Sequence, residues 1–216
     1  MIIAPSILSL DYTDFNKQLS VINEKCDWIH FDVMDGHFVP NLSFGPDIFR
    51  AFRKNSDLYM DVHLMVSDPD YFSDVFIKEG ADGVTFHLEA YDSLPDAIRL
   101  VRKIKSRYVK AGISIKPGTK VELIRPLLHE ADVVLLMSVE PGFGGQTFIN
   151  STYDKIKWLK EYKIDQNLKY LIEVDGGINN KNAHSLYDVG CDVIVAGSYI
   201  FNGDLAANID SINFYE

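Results

Sequence analysis

The segment Trp28-Ile29-His30-Phe31-Asp32-Val33-Met34 is a short aromatic and β-branched run, the composition of a β-strand. Side chains alternate faces along a strand, so His30, Asp32 and Met34 project to one side while Phe31 and Val33 project to the other. A histidine and a carboxylate buried in an otherwise apolar layer are expensive unless they are paired or hold a cation. This strand therefore carries a packing face and a chemical face.

Comparable runs recur near residues 2–8, 58–66, 83–89, 110–116, 133–140, 169–175 and 192–198, which with 28–34 makes eight predicted strands. Stretches of helical spacing lie between them: Phe15, Leu19 and Ile22 share one helix face, and Asp68-Pro69 reads as an N-cap followed by a first-turn proline. Such alternation specifies parallel strands joined by crossover helices. No dinucleotide fingerprint marks an open doubly wound sheet. The expected fold is therefore α/β, a single-domain (β/α)8 TIM barrel over residues 1–216, with its chemistry at the carboxyl ends of the strands. A short echo supports repetition of the βα unit: Cys26-Asp27-Trp28-Ile29, Ala81-Asp82-Gly83-Val84, Ala131-Asp132-Val133-Val134 and Cys191-Asp192-Val193-Ile194.

The 216 residues are 47% hydrophobic and 24% charged, enough apolar material for a core and too much for disorder. Lys and Arg total 21 against 31 for Asp and Glu, and the resulting net charge of −10 opposes nucleic acid or an anionic membrane surface as partners. No apolar run is long enough to span a bilayer, and Met1-Ile2-Ile3-Ala4-Pro5 lacks a signal peptide's basic segment, so a cytoplasmic location is expected. Cys26 and Cys191 read as small buried hydrophobes.

On the third predicted strand His63 and Met65 share a face, and the seventh ends in Glu173-Val174-Asp175-Gly176-Gly177. His30, Asp32, His63 and Asp175, gathered from strands two, three and seven, suit one divalent ion, and these donor types do not choose among Zn²⁺, Mn²⁺, Fe²⁺ and Co²⁺. The bland alternative is a satisfied His–Asp pair with Asp175 capping a turn. Glycines cluster at Gly142, Gly144 and Gly145 beside Phe143, at Gly176-Gly177, and at Gly197-Ser198. Loops after the late strands of a barrel are a recurrent phosphate site, so a phosphorylated substrate is expected; tight turns with positive φ are the other reading. Position 147 is threonine, which breaks the spacing of a nicotinamide-binding motif. Met34, Met65 and Met137 end strands two, three and six as core filler or as an apolar wall for the site. His129 and His184 are expected in helices and His37 in a loop, while His87 stands either in the site wall or in the structure beneath it.

The segments Ala4 to Leu8, His30 to Asn41, Asp61 to Met65, Val139 to Gln146 and Glu173 to Ile178 together resemble the ribulose-phosphate 3-epimerase family in order and spacing over nearly the whole chain. The resemblance implies a barrel that interconverts D-ribulose 5-phosphate and D-xylulose 5-phosphate at carbon 3. It implies a metal on His30, Asp32, His63 and Asp175, with Asp32 and Asp175 as catalytic proton carriers. Ser6 and His63 would contact the substrate, and its phosphate would lie on the backbone of Gly142 to Gly145, Gly176-Gly177 and Gly197-Ser198. A small sugar phosphate is then the expected partner, and the chain is expected to assemble as a homo-oligomer. Sugar specificity varies within the family, and Tyr199, where a smaller residue is more usual, keeps D-allulose 6-phosphate open as an alternative substrate. A catalytically silent sugar-phosphate-binding barrel is the reading from another class.

Inverting a stereocentre beside a ketone requires removing a proton on one face and returning one on the other, so two acid/base groups must flank it. An ordinary aspartate, with a pKa of about 3.9, is a feeble base toward carbon. A cation on the sugar oxygens would narrow that gap, and no nicotinamide or flavin is needed because the oxidation level of the carbon does not change.

Overall fold

The computed structural model describes residues 1–213. Its eight strands are β1 (Ile2–Pro5), β2 (Trp28–Met34), β3 (Tyr59–Met65), β4 (Gly83–His87), β5 (Lys110–Ile115), β6 (Val133–Met137), β7 (Leu171–Asp175) and β8 (Val193–Ala196). Each pairs in parallel with its neighbour in the order β1-β8-β7-β6-β5-β4-β3-β2. A parallel bridge from Ser6 to His30 joins the two ends of that order. The sheet thus curls back on itself, and the expected (β/α)8 barrel, rather than the open doubly wound sheet, is the fold.

Between and after the strands lie α1 (Phe15–Lys25), α2 (Pro46–Asn55), α3 (Pro69–Lys78), α4 (Leu94–Lys105), α5 (Thr152–Asp165), α6 (Ala183–Val189) and the short α7 (Ser198–Phe201) and α8 (Leu205–Asp210). Asp68 caps α3 as expected, its side chain accepting from the Tyr71 N–H. The β5–β6 connection departs from the pattern: Val121–Leu127 is a 3-10 helix containing Pro126, which has no N–H to give to an α-helical ladder. His129 accordingly sits in a turn instead of a helix.

Four strands also end two or more residues before their apolar runs do. The first stops at Pro5, the fourth at His87, the sixth at Met137 and the eighth at Ala196. Beyond three of these points the backbone is satisfied locally, Leu10 N–H reaching Ile7 O, Tyr91 N–H reaching Leu88 O and Ile200 N–H reaching Gly197 O, while beyond Met137 the Ser138 N–H reaches Asp175 O. The residues released from the ladder build the mouth of the barrel.

Alternation along the strands sorts the core as expected. Phe31 and Val33 point outward beneath the helices, where the Phe31 ring lies 4.9 Å from Phe49 and 5.0 Å from Phe52. Inside the barrel, Ala4, Trp28, Val133, Val193 and Val195 form an apolar floor. The four-residue echo has a structural cause. The carbonyls of Asp27, Asp82, Asp132 and Asp192 each accept the N–H that opens the next odd strand, from Tyr59, Lys110, Leu171 and Ile2 respectively. The side chains of Asp82, Asp132 and Asp192 also reach sideways to the N–H groups of Met60, Ala111 and Ile172. Asp82, Asp132 and Asp192 thus each seal the amino ends of two strands.

Candidate active site

Period-two alternation brings His30 and Asp32 of β2, Asp61 and His63 of β3, His87 of β4, and Glu173 and Asp175 of β7 to the barrel interior. All but Asp175 are fully or almost fully buried, and Asp175 faces the mouth. One donor atom from each of His30, Asp32, His63 and Asp175 lies within 4.8 Å of all the others. His30 Nε2 is 3.4 Å from Asp32 Oδ1, and His63 Nδ1 is 3.1 Å from Asp32 Oδ1 and 3.9 Å from Asp175 Oδ2.

The donor set fits a divalent cation. His30 Nε2 is buried and has no hydrogen-bond partner, an unusual state for an imidazole nitrogen aimed at two carboxylates. On its other side, His30 Nδ1 lies 2.6 Å from Asp61 Oδ2, the outer carboxylate that orients many metal-binding histidines. Burial disfavours a charged His30 ring, yet Asp32 and Asp61 outweigh it and hold its pKa well above the usual imidazole value. A spot that favours positive charge so strongly on a proton favours it on a metal as well. Two nitrogens and two carboxylate oxygens are borderline donors compatible with Zn²⁺, Fe²⁺, Mn²⁺ and Co²⁺ alike.

The two aspartates sit in opposite electrostatic environments. Burial works to raise the Asp32 carboxyl, but the charge of the His30 ring 3.4 Å away and the His63 ring 3.1 Å away overcome it and hold Asp32 well below the carboxylate range. The Ser6 hydroxyl adds a hydrogen bond to Asp32 Oδ2 at 2.6 Å. Asp175 goes the other way: burial, then the neighbouring charge of Asp32, push it up to about 7. In the metal-free site this leaves Asp32 ionised and lets Asp175 hold a proton near neutrality.

Above the cluster, the mouth is a pocket lined by Met34, Met65 and Met137 and by the glycine loops. Every residue expected to touch substrate lines it except His63, which is buried and not part of the lining: Ser6, Gly142, Phe143, Gly144, Gly145, Asp175, Gly176, Gly177, Gly197 and Ser198. Asn41 Nδ2 donates to Gly142 O at 2.7 Å, tying the loop after β2 to the loop after β6. Gly177 has φ +65°, and a Cβ there would lie 2.6 Å from the Phe148 nitrogen. Glycine at this point therefore serves the turn and the close approach of loop 146–148 together.

The sequence profile of the ribulose-phosphate 3-epimerase family matches residues 2–201. The chain belongs to the ribulose-phosphate 3-epimerase family. The ribulose-phosphate 3-epimerase of Rhodobacter capsulatus is 46% identical over 202 residues, covering 93% of this chain and 86% of that protein. That of Bacillus subtilis is 44% identical over 201 residues, covering 92% and 91%. The structure of 3-hexulose-6-phosphate synthase from Salmonella typhimurium is similar with a TM-score of 0.72 over 98% of this chain and 96% of that one, at 17% identity, a likeness of fold. Family membership makes this chain an epimerase and bears out the expected enzyme class. Among the described residues no helix is long and apolar enough to cross a membrane.

Three acidic residues beneath or beside the pocket, Asp61, Glu173 and Glu89, were not among the site residues read from the sequence. Asp61 and Glu173 lie in phase with His63 and Asp175, two residues back, and period-two reasoning carried one step further reaches both. Glu173 is fully buried with neither oxygen hydrogen-bonded; burial and the charge of Asp61 raise it to about 8. Glu89 lies just past the end of β4, where nothing in its local sequence announces a role.

Proposed function

We propose that this epimerase interconverts D-ribulose 5-phosphate and D-xylulose 5-phosphate by removing and returning the proton on C3, with a divalent metal held by His30, Asp32, His63 and Asp175. The observation that carries the reading is the convergence of Asp32 and Asp175 on one pocket, with the donor atoms of His30 and His63 within 4.8 Å of theirs. When bound, the cation supplies Lewis-acid stabilisation, worth several kcal/mol, for negative charge on the sugar oxygens.

Asp32 takes the C3 proton. The electron pair of the C3–H bond moves toward the C2 carbonyl oxygen, and the sugar becomes an enediolate. Asp175 then gives a proton to the opposite face of C3. In the reverse direction the two exchange roles, and their protons re-equilibrate with water between turnovers. The hydrogen bond from Ser6 keeps Asp32 aimed and ionised. Met34, Met65 and Met137 give the enediolate an apolar wall with no proton to donate. Backbone of Gly142 to Gly145, Gly176-Gly177 and Gly197-Ser198 holds the phosphate away from the reacting carbon, so that its binding energy fixes orientation. Local N–H groups achieve this despite the net charge of −10.

Tyr199, the residue that left sugar length open, hydrogen-bonds through its hydroxyl to Ser211 at 2.8 Å and is not among the residues lining the pocket. That favours the pentulose. The same proposal makes the whole chain, 1–216, one domain of a cytoplasmic homo-oligomer. The testing experiment compares D-ribulose 5-phosphate, D-allulose 6-phosphate and D-ribulose in one assay on metal-loaded protein. The pentulose phosphate is expected to have the highest kcat/KM, and D-ribulose to lose kcat as well as affinity. Higher kcat/KM on D-allulose 6-phosphate, or equal turnover of the unphosphorylated sugar, would contradict the proposal.

A further inference from the structure

His87 is fully buried at the end of β4 and does not line the pocket, yet it joins the candidate metal site to the rim of the barrel. Its Nε2 lies 2.9 Å from His63 Nε2, and its Nδ1 lies 3.2 Å from Glu89 Oε2. Glu89 is anchored in turn: its Oε1 accepts the Lys116 N–H at 2.7 Å and the Thr119 hydroxyl. Lys155 Nζ holds the same loop by donating to the carbonyls of Lys116, Pro117 and Thr119 at 3.1, 2.7 and 2.8 Å.

Two ring nitrogens 2.9 Å apart must be one donor and one acceptor, so the chain His63–His87–Glu89 has two possible polarities. In the first, His87 Nδ1–H donates to Glu89, His87 Nε2 accepts from His63 Nε2–H, and His63 Nδ1 keeps its lone pair facing Asp32 and Asp175. In the second, His63 carries its proton on Nδ1, which then donates to Asp32 and has no electron pair for a cation. Only the first permits His63 to be a ligand. A carboxylate accepts hydrogen bonds and cannot donate one, so Glu89 at the far end favours the first.

We propose that His87 and Glu89 are positioning residues, which fix His63 as its Nε2–H tautomer and so present the Nδ1 lone pair to the metal. The inference rests on the metal reading above. It makes a residue outside the pocket, two hydrogen bonds from the nearest ligand, a determinant of metal affinity.

Glu89→Gln tests it. The carbonyl of the introduced amide can still accept from Lys116 and Thr119, while its NH₂ group turns toward His87 Nδ1 and reverses the polarity. Zinc affinity, measured by chelator competition, is expected to fall about 10- to 100-fold. Thr119→Ala removes one support of Glu89 without changing what His87 meets, and its affinity should stay within about threefold of wild type. Nitrogen-15 spectra of the zinc-loaded protein give a readout that a merely structural role would not move. In wild type His63 should carry its proton on Nε2 and His87 on Nδ1, and in Glu89→Gln the His87 proton should move to Nε2. Wild-type affinity in Glu89→Gln, an equal loss in Thr119→Ala, or a His87 proton on Nε2 in the wild type would each overturn the relay while leaving the metal reading standing. A wild-type protein that binds no zinc, manganese, iron or cobalt would overturn both.

Discussion

Gly177→Ala is a severe and local perturbation of the proposed phosphate pocket. The residue has φ +65°, where an alanine costs about 1–2 kcal/mol in backbone strain alone. The new Cβ would also meet the Phe148 nitrogen at 2.6 Å and the Gln146 carbonyl oxygen at 2.9 Å, against an ordinary contact of 3.4 Å or more. Both obstacles are backbone, so loop 146–148 must retreat by roughly 0.8 Å. For a chain of this length the strain predicts a fall in Tm of about 2–8 °C. Displacing a substrate-positioning wall by about 1 Å costs on the order of a hundredfold in rate. Calorimetry and a coupled epimerisation assay, resolving kcat from KM, measure the two effects. Gly144→Ala supplies the stability comparison: its Cβ meets only Ser9 Oγ at 3.7 Å, and its stability should stay within about 0.5 kcal/mol of wild type. A Gly177→Ala protein with wild-type Tm and wild-type kcat/KM would refute the argument from close approach.

Chelator treatment should abolish turnover and lower Tm, since a ligand at about a hundred times its Kd stabilises the folded state by about 2.7 kcal/mol; metal analysis and add-back of zinc, iron, manganese and cobalt one at a time check this. Glu173 predicts a pH dependence in the metal-free protein. Its pKa rises on folding from 4.5 to about 8, so its neutral form stabilises the fold fully below pH 4.5, and that contribution is lost as pH rises toward 8. Between about pH 5 and 7 wild type should therefore lose about 3 kcal/mol of stability relative to Glu173→Gln, read from denaturant unfolding at each pH. Asp132→Ala leaves the buried Ala111 N–H without its side-chain acceptor and should cost about 1–3 kcal/mol by denaturant unfolding, whereas Asp132→Asn, which keeps an acceptor oxygen, should cost less.

What could be read from the sequence followed from local rules. Eight strands, their inward and outward faces, and the convergence of His30, Asp32, His63 and Asp175 all come from period-two alternation combined with the carboxyl-end placement of barrel chemistry. The strand ends at Pro5, His87, Met137 and Ala196 were overrun because an apolar run does not reveal where its hydrogen-bonding neighbour stops. The β5–β6 connection lost its α-helix to Pro126, a residue visible in the sequence whose effect depends on the packing around it. The partners of His30 and His63 were harder still: Asp61 and His87 reach them across 31 and 24 positions of sequence, and Asn41 meets Gly142 across 101. Such contacts depend on strand register and loop closure, which no local periodicity encodes.

The account turns on two carboxylates addressing one carbon from its two faces, and isotope exchange reads this directly. Asp32→Asn and Asp175→Asn, each loaded with metal in deuterium oxide, are incubated separately with D-ribulose 5-phosphate and with D-xylulose 5-phosphate. Each variant should fail to epimerise, and each should wash deuterium into C3 of one epimer alone, the two variants choosing opposite epimers. Epimerisation at the wild-type rate by either variant, or exchange of the same epimer by both, would contradict the assignment of one face to each aspartate.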